Sequence, residues 1–167
     1  MPGHFLIPFF KIGIDKGLLM CYTIATRRKG DFSMTIRYAT SADLKSITCA
    51  LRNKKINYNT PAQAREDVRQ NRLFVIENNG ALIAQCALVF DNTRKEYYMK
   101  RLCVYNKKRA CKGIAQMFID FFFSLGIASL SATPWDENKV MIHILEKNGF
   151  EFQYRFLENY LYYKKNA

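Results

Sequence analysis

LCVYNKKRACKGIAQMFIDFFFSL, residues 102–125, runs from a strand-like segment through a basic turn into a strongly apolar helix. The turn opens into the helix at Lys112-Gly113. The first N–H groups of a helix have no intrahelical acceptor, and that end carries partial positive charge. Lys107, Lys108, Arg109 and Lys112 add full charges to it. Such a place suits a phosphate. Inside the helix, Lys112, Gln116, Asp120 and Ser124 recur every four residues and everything between them is apolar. That pattern predicts one narrow wet stripe on an otherwise buried helix.

Outward from this stretch, elements alternate. Residues 35–39 alternate in polarity and read as a strand. Residues 41–52 place Leu44, Ile47 and Leu51 on one helical face, with Ser41 or Thr40 as cap and Asp43 in the first turn. A second helix begins at Thr60-Pro61, where proline's missing N–H does no harm. Residues 72–77 and 81–90 form a hairpin about Asn79-Gly80, whose residue types tolerate positive φ. The second of these strands is nearly all apolar and is expected at the sheet centre. A fourth strand spans 96–105 and a fifth 127–132, after Gly126 ends the apolar helix. Thr133-Pro134-Trp135-Asp136 reads as the start of a last helix, closed by Gly149. Two aromatic strands, 150–156 and 160–165, complete the chain.

At 167 residues the chain is long enough for one domain with a real core and too short for two ordinary ones. Its 13 Phe and 10 Tyr supply the core and argue against disorder. The net charge is +12, of which 1–33 contributes +3. Such a balance fits either simple solubility or an anionic partner, a phosphorylated cofactor or nucleic acid. Five scattered cysteines without a CxxC, and only two His, give no zinc pattern, so no metal is expected. Cys49, Cys86 and Cys103 lie in apolar runs and read as small buried hydrophobes; reduced thiols point to the cytoplasm.

Residues 1–33 differ in character from the rest of the chain. The apolar run 5–22 is broken by Lys11, Asp15 and Lys16 and falls short of an uninterrupted span of roughly 20 residues. Arg27, Arg28 and Lys29 come after the run, the reverse of a secretory signal. Met34 opens MTIRYATSADL, which reads as a fresh domain start. The expectation is an N-terminal extension, 1–33, with its start mis-assigned or its chain poorly ordered, ahead of a domain at 34–167.

The element order and two motifs resemble the GNAT superfamily of acetyl-CoA-dependent N-acetyltransferases, in its small bacterial form, over 34–165. The first motif is the family's phosphate loop, Q/R-x-x-G-x-G/A, standing here as Ala110-Cys111-Lys112-Gly113-Ile114-Ala115. The second is a helix beginning near Asn138 and ending Glu146-Lys147-Asn148-Gly149-Phe150. Two positions depart from the pattern. Ala110 replaces the Gln/Arg, with Arg109 one residue earlier, and Leu145 stands at the frequent general-acid tyrosine.

The resemblance implies a mixed α/β acyl-CoA N-acyltransferase fold: a central mixed sheet of six to seven strands with about four helices. It implies acetyl-CoA as co-substrate and direct transfer to a primary amine, on a small molecule or on a peptide or protein. It further implies that Arg109, Ala110, Cys111, Lys112, Gly113, Ile114 and Ala115 surround the pyrophosphate. Leu102, Cys103 and Val104 would splay from 127–132 and bind the pantetheine arm, with Asn138 beside it, and the Val104 N–H would polarise the thioester. For Asn138 a plain helix-start role is as good a reading. Glu96 is the candidate base, or else a solvated strand-end charge, and Tyr98 a wall of the substrate pocket. Cys103 as an acyl nucleophile is a weaker reading than Cys103 as packing, and His143 reads as exposed. No membrane association is expected, and a homodimer stays open. Two other readings remain: an acyl-CoA-binding protein without turnover, suggested by Leu145, and a basic nucleic-acid module using the aromatic strands at 154–156 and 160–165.

Overall fold

The structure, a computed structural model, describes residues 21–25, 33–53, 60–105 and 113–167. The elements are β1 (Cys21–Ala25), β2 (Ser33–Tyr38), a 3-10 turn (Ser41–Asp43) leading into α1 (Leu44–Asn53), α2 (Pro61–Arg69), β3 (Leu73–Asn78), β4 (Ala81–Asp91), β5 (Glu96–Val104), α3 (Ile114–Ser124), β6 (Ser129–Ala132), α4 (Lys139–Lys147), β7 (Glu151–Phe156) and β8 (Tyr160–Asn166). The eight strands of the described residues join one sheet in the order β1-β2-β3-β4-β5-β6-β8-β7. Among the described residues only β5 and β6 run parallel, joined by the crossover that contains α3.

The sheet holds one strand more than the upper expectation. The additional strand is β1, inside the segment read as an extension; it pairs antiparallel with β2 from Cys21↔Arg37 to Ala25↔Ser33. The rest of that segment, 1–20 and 26–32, lies outside the described residues.

Alternation on β3 explains the layers. Phe74 and Ile76 point to one face, where they join Phe118, Phe122, Leu130 and Leu145 in the larger core. Leu73 and Val75 point to the other face, where they meet Ile47, Ala64, Ala87 and Cys103. Helices α3 and α4 cover the first face, and α1 and α2 cover the second over the β2–β4 half of the sheet. The wet stripe on α3 is present, with Asp120 and Ser124 exposed and Gln116 Nε2 donating to Asp120 Oδ1 at 2.6 Å.

One boundary moves. The last helix starts at Lys139, as the motif beginning near Asn138 places it, and not at Thr133-Pro134. The 134–136 segment is taken by strand-like bonds instead: Leu161 N–H donates to the Pro134 carbonyl at 3.1 Å, and Asp136 N–H to Asn159 at 2.9 Å. Trp135 bridges Tyr160. The cap falls to Asn138, whose Oδ1 accepts from Met141 N–H at 3.1 Å.

Candidate active site

The parallel pair opens early. Its ladder has two rungs, Tyr97↔Leu130 and Tyr98↔Ser131, both near the start of β5. Beyond them β6 ends at Ala132, and β5 continues to Val104. A bulge lies just past the last rung. Gln85 faces Cys103 and Ala87 faces Lys100, so Cys86 alone opposes both Arg101 and Leu102. Arg101 takes the left-handed conformation at φ +54°. For a residue with a Cβ this costs roughly 1–2 kcal/mol.

The compensation comes from α2. Asp67 is fully buried and forms ion pairs with both Arg72 and Arg101. A buried carboxylate is stable only when paired, so this cluster ties the helix to the bulge. Asp67 is therefore not available to a substrate. Glu66 beside it is exposed and paired with Arg69 at 2.8 Å. The sequence signal for the cluster is Arg101, a charge set directly before the apolar run Leu102-Cys103-Val104 of the strand.

Helix α3 begins where expected. Gly113 is its N-cap at φ +74°, exposed, with no side chain capping the turn. Met117 N–H donates to the Gly113 carbonyl at 2.9 Å. The N–H groups of Ile114, Ala115 and Gln116 point out of this first turn, as in any α-helix. Ile114 and Ala115 are themselves buried against the core. Lys107, Lys108, Arg109, Ala110, Cys111 and Lys112 lie outside the described residues. Asn138 spends its Oδ1 on the α4 cap.

Glu96, Tyr98, Lys100 and Cys103 occupy the face of β5 that carries α1 and α2 farther along the sheet. Glu96 is almost fully buried. It accepts a hydrogen bond from Tyr162 Oη and pairs with Lys164 Nζ at 3.1 Å. Burial pushes its carboxyl up, but the bonds from Tyr162, Lys164 and Ser131 and the Lys164 charge outweigh burial. Glu96 therefore titrates below the ordinary 4.5 and is a weaker base than a free glutamate. The sequence presents Glu96 as an available base; the structure commits it to two neighbours on β8. Tyr162 and Lys164 are two apart on a strand, but nothing in the sequence pairs that strand with 96–105.

The sign of this shift sets a pH dependence. The folded value lies below the unfolded one, so the Glu96 contribution to stability is complete above 4.5 and disappears as pH falls through the folded value. Urea unfolding of wild type and Glu96→Gln should show a stability gap at neutral pH that narrows as pH falls below 4.5. A gap of constant size over that range would mean that the carboxylate is not held in this way.

Tyr98 lines a cleft of about 350 Å³ together with Val89, Asp91, Arg94, Lys100 and Phe156. Thr133, immediately after the end of β6, closes one side. The cleft thus runs from the β4–β5 hairpin to the last rung between β5 and β6, where the two strands part. Burial pushes the Tyr98 phenol up to about 12, so it is a neutral donor at physiological pH. Cys103 is buried in the smaller core. Burial likewise pushes the Cys86 thiol well up. Leu145 is fully buried among core side chains, and His143 is exposed. Among the described residues, no group of His, Cys, Asp and Glu could hold a metal ion, and no helix is long and apolar enough to cross a membrane.

Neither protein-family models nor curated protein sequences give a match to this chain. Solved structures do. A GNAT-family acetyltransferase from Streptococcus agalactiae superimposes with a TM-score of 0.70 at 17% identity, covering 80% of this chain and 95% of that one. Ard1 from Thermoplasma volcanium gives 0.68 at 18%, covering 80% and 97%. A spermidine N-acetyltransferase from Vibrio cholerae, solved with CoA and spermine, gives 0.64 at 18%, covering 80% and 95%. The chain has the fold of the GNAT acetyltransferases, and it spans nearly the whole length of each of these neighbours.

Proposed function

We propose that this protein is an N-acetyltransferase that moves an acetyl group from acetyl-CoA directly to a primary amine. The observation that carries the reading is the early parting of β5 and β6 beside a helix opened by Gly113. A parted parallel pair offers an extended ligand a slot, and the adjacent helix N-terminus suits the diphosphate of the same ligand.

In this reading the amides of Gly113, Ile114 and Ala115, with the loop Arg109, Ala110, Cys111 and Lys112, hold the pyrophosphate. Each charge-assisted bond contributes about 1.5–3 kcal/mol. Leu102, Cys103 and Val104 flank the pantetheine arm, and Asn138 lies at its far side with its amide N–H groups as donors. The acyl end then reaches the cleft lined by Tyr98. The amine nitrogen attacks the thioester carbonyl, the C–S bond breaks, and the coenzyme thiol leaves.

An amine with a pKa of about 10.4 is neutral in roughly one molecule in 2,500 at pH 7. Glu96, held low by Tyr162 and Lys164, is a poor sink for its proton. We assign Glu96 instead to fixing β8 against β5, and the amine enters the cleft already neutral. An acyl-CoA-binding protein without turnover is the second reading, favoured by the burial of Leu145, from which no hydroxyl can reach the cleft. Acetyl-CoA should raise the melting temperature, and free thiol should appear only when an amine is added. Stabilisation without thiol release across an amine panel supports the second reading. No stabilisation at all overturns both.

A further inference from the structure

We propose that the acceptor amine carries an anionic group, a carboxylate or a phosphate, and that Lys100 holds it. The inference rests on the acetyltransferase reading and concerns the cleft where β5 and β6 part. Its charges are unevenly matched. Of the charged residues that line it, Arg94 and Lys100 stand against Asp91. Arg72, Arg101 and Asp67 lie near enough to act on the Lys100 charge, and the carboxylates of this region are already engaged. Asp67 is shared by Arg72 and Arg101. Glu96 is held by Tyr162 and Lys164. Asp91 accepts from the N–H groups of Thr93 and Arg94 in its own turn and lies 3.7 Å from the Arg94 guanidinium.

That leaves Lys100. Among the described residues no carboxylate comes within ion-pair distance of its ammonium. The Nζ instead sits 5.0 Å from the centre of the Tyr98 ring, at the wall of the cleft. Desolvation first, then the charges of Arg101 and Arg72, lower the Lys100 pKa, and the more weakly felt charges of Asp67 and Asp91 offset this only in part. An anion at this point supplies the missing partner and relieves the repulsion. A polyamine would add cations to a cleft that already has one too many. Phe156, Tyr98 and Val89 supply apolar walls, so the acceptor combines a short apolar body with a charged end. The cleft volume favours a small molecule.

The test is an acceptor panel with saturating acetyl-CoA and free-thiol detection. Its arms are glycine, β-alanine and glutamate as amino carboxylates, O-phosphoethanolamine as an amino phosphate, ethanolamine as a neutral amine, and spermidine as a polycation. At least one anionic arm should exceed ethanolamine and spermidine about tenfold or more in kcat/KM, the effect of one charge-assisted contact. The carboxylate and phosphate arms separate the two sources of the anion. Lys100→Gln should remove that preference mainly through KM, and Lys100→Arg should restore part of it. Spermidine as best substrate, or a preference untouched by Lys100→Gln, overturns the proposal. Should no amine turn over, calorimetry of succinate and of inorganic phosphate with the CoA-loaded protein decides. Binding of either that Lys100→Gln weakens about tenfold supports the proposal, and no binding or equal binding overturns it. Thermal stabilisation by acetyl-CoA alone reads the coenzyme site separately, so its failure and that of Lys100 are distinguishable.

Discussion

Gly113→Glu should abolish acetyl-CoA binding while leaving the protein folded. The substitution places a carboxylate at the N-terminus of α3, where the diphosphate is proposed to lie. Losing two charge-assisted bonds at about 1.5 kcal/mol each weakens binding at least about a hundredfold, and charge repulsion adds to that. The control is Gly113→Ala. Both variants carry the same backbone strain, because φ is +74°. A Cβ added at Gly113 meets no atom within 4 Å, so alanine introduces no clash with the described residues. The alanine variant should lose roughly 1 kcal/mol of stability and less than about tenfold in binding. Thermal shift and calorimetry with acetyl-CoA read both effects. Equal binding by Gly113→Glu and wild type would mean that the phosphate lies elsewhere.

Asp67→Ala should produce the largest loss of stability. Its carboxylate is fully buried between Arg72 and Arg101, whose side chains are 28% and 15% exposed. Removing it leaves two guanidinium groups facing each other without a counter-charge. Breaking such a pair costs about 3–5 kcal/mol. Urea unfolding checks this as a drop in midpoint. The functional consequence runs through Arg101, which holds its positive φ at the bulge just past the last rung between β5 and β6. Acetyl transfer should therefore fall in the remaining folded protein, through kcat as well as KM. A loss under about 1 kcal/mol would mean that Asp67 contributes no more than a surface pair does.

How far the sequence is legible depends on the reach of each signal. Local patterns carry furthest. The four-residue spacing of Gln116, Asp120 and Ser124 marks the exposed side of α3, and Asn79-Gly80 marks its hairpin, because neighbours on one element fix those features. The start of α4 is misread because Thr133-Pro134 looks like a cap locally, whereas its backbone is claimed by residues 159–161, more than twenty positions away. The same limit applies in the site. Glu96 is visible as a carboxylate on a strand, but its commitment to Tyr162 and Lys164 depends on β6 and β8 being neighbours. Asp67 resembles any exposed helix acid until the sheet brings Arg72 and Arg101 to it. Lys100 is conspicuous only once every nearby carboxylate is seen to be occupied.

In the proposed function the N-terminus of α3 and the diverging end of β5 bind acetyl-CoA. A 1H–15N NMR titration tests it residue by residue. Adding acetyl-CoA should move the amide signals of Gly113, Ile114 and Ala115 together with those of Leu102, Cys103 and Val104, all with one dissociation constant. Signals that stay fixed at those six amides while others move, or a spectrum unchanged at saturating acetyl-CoA, would contradict it.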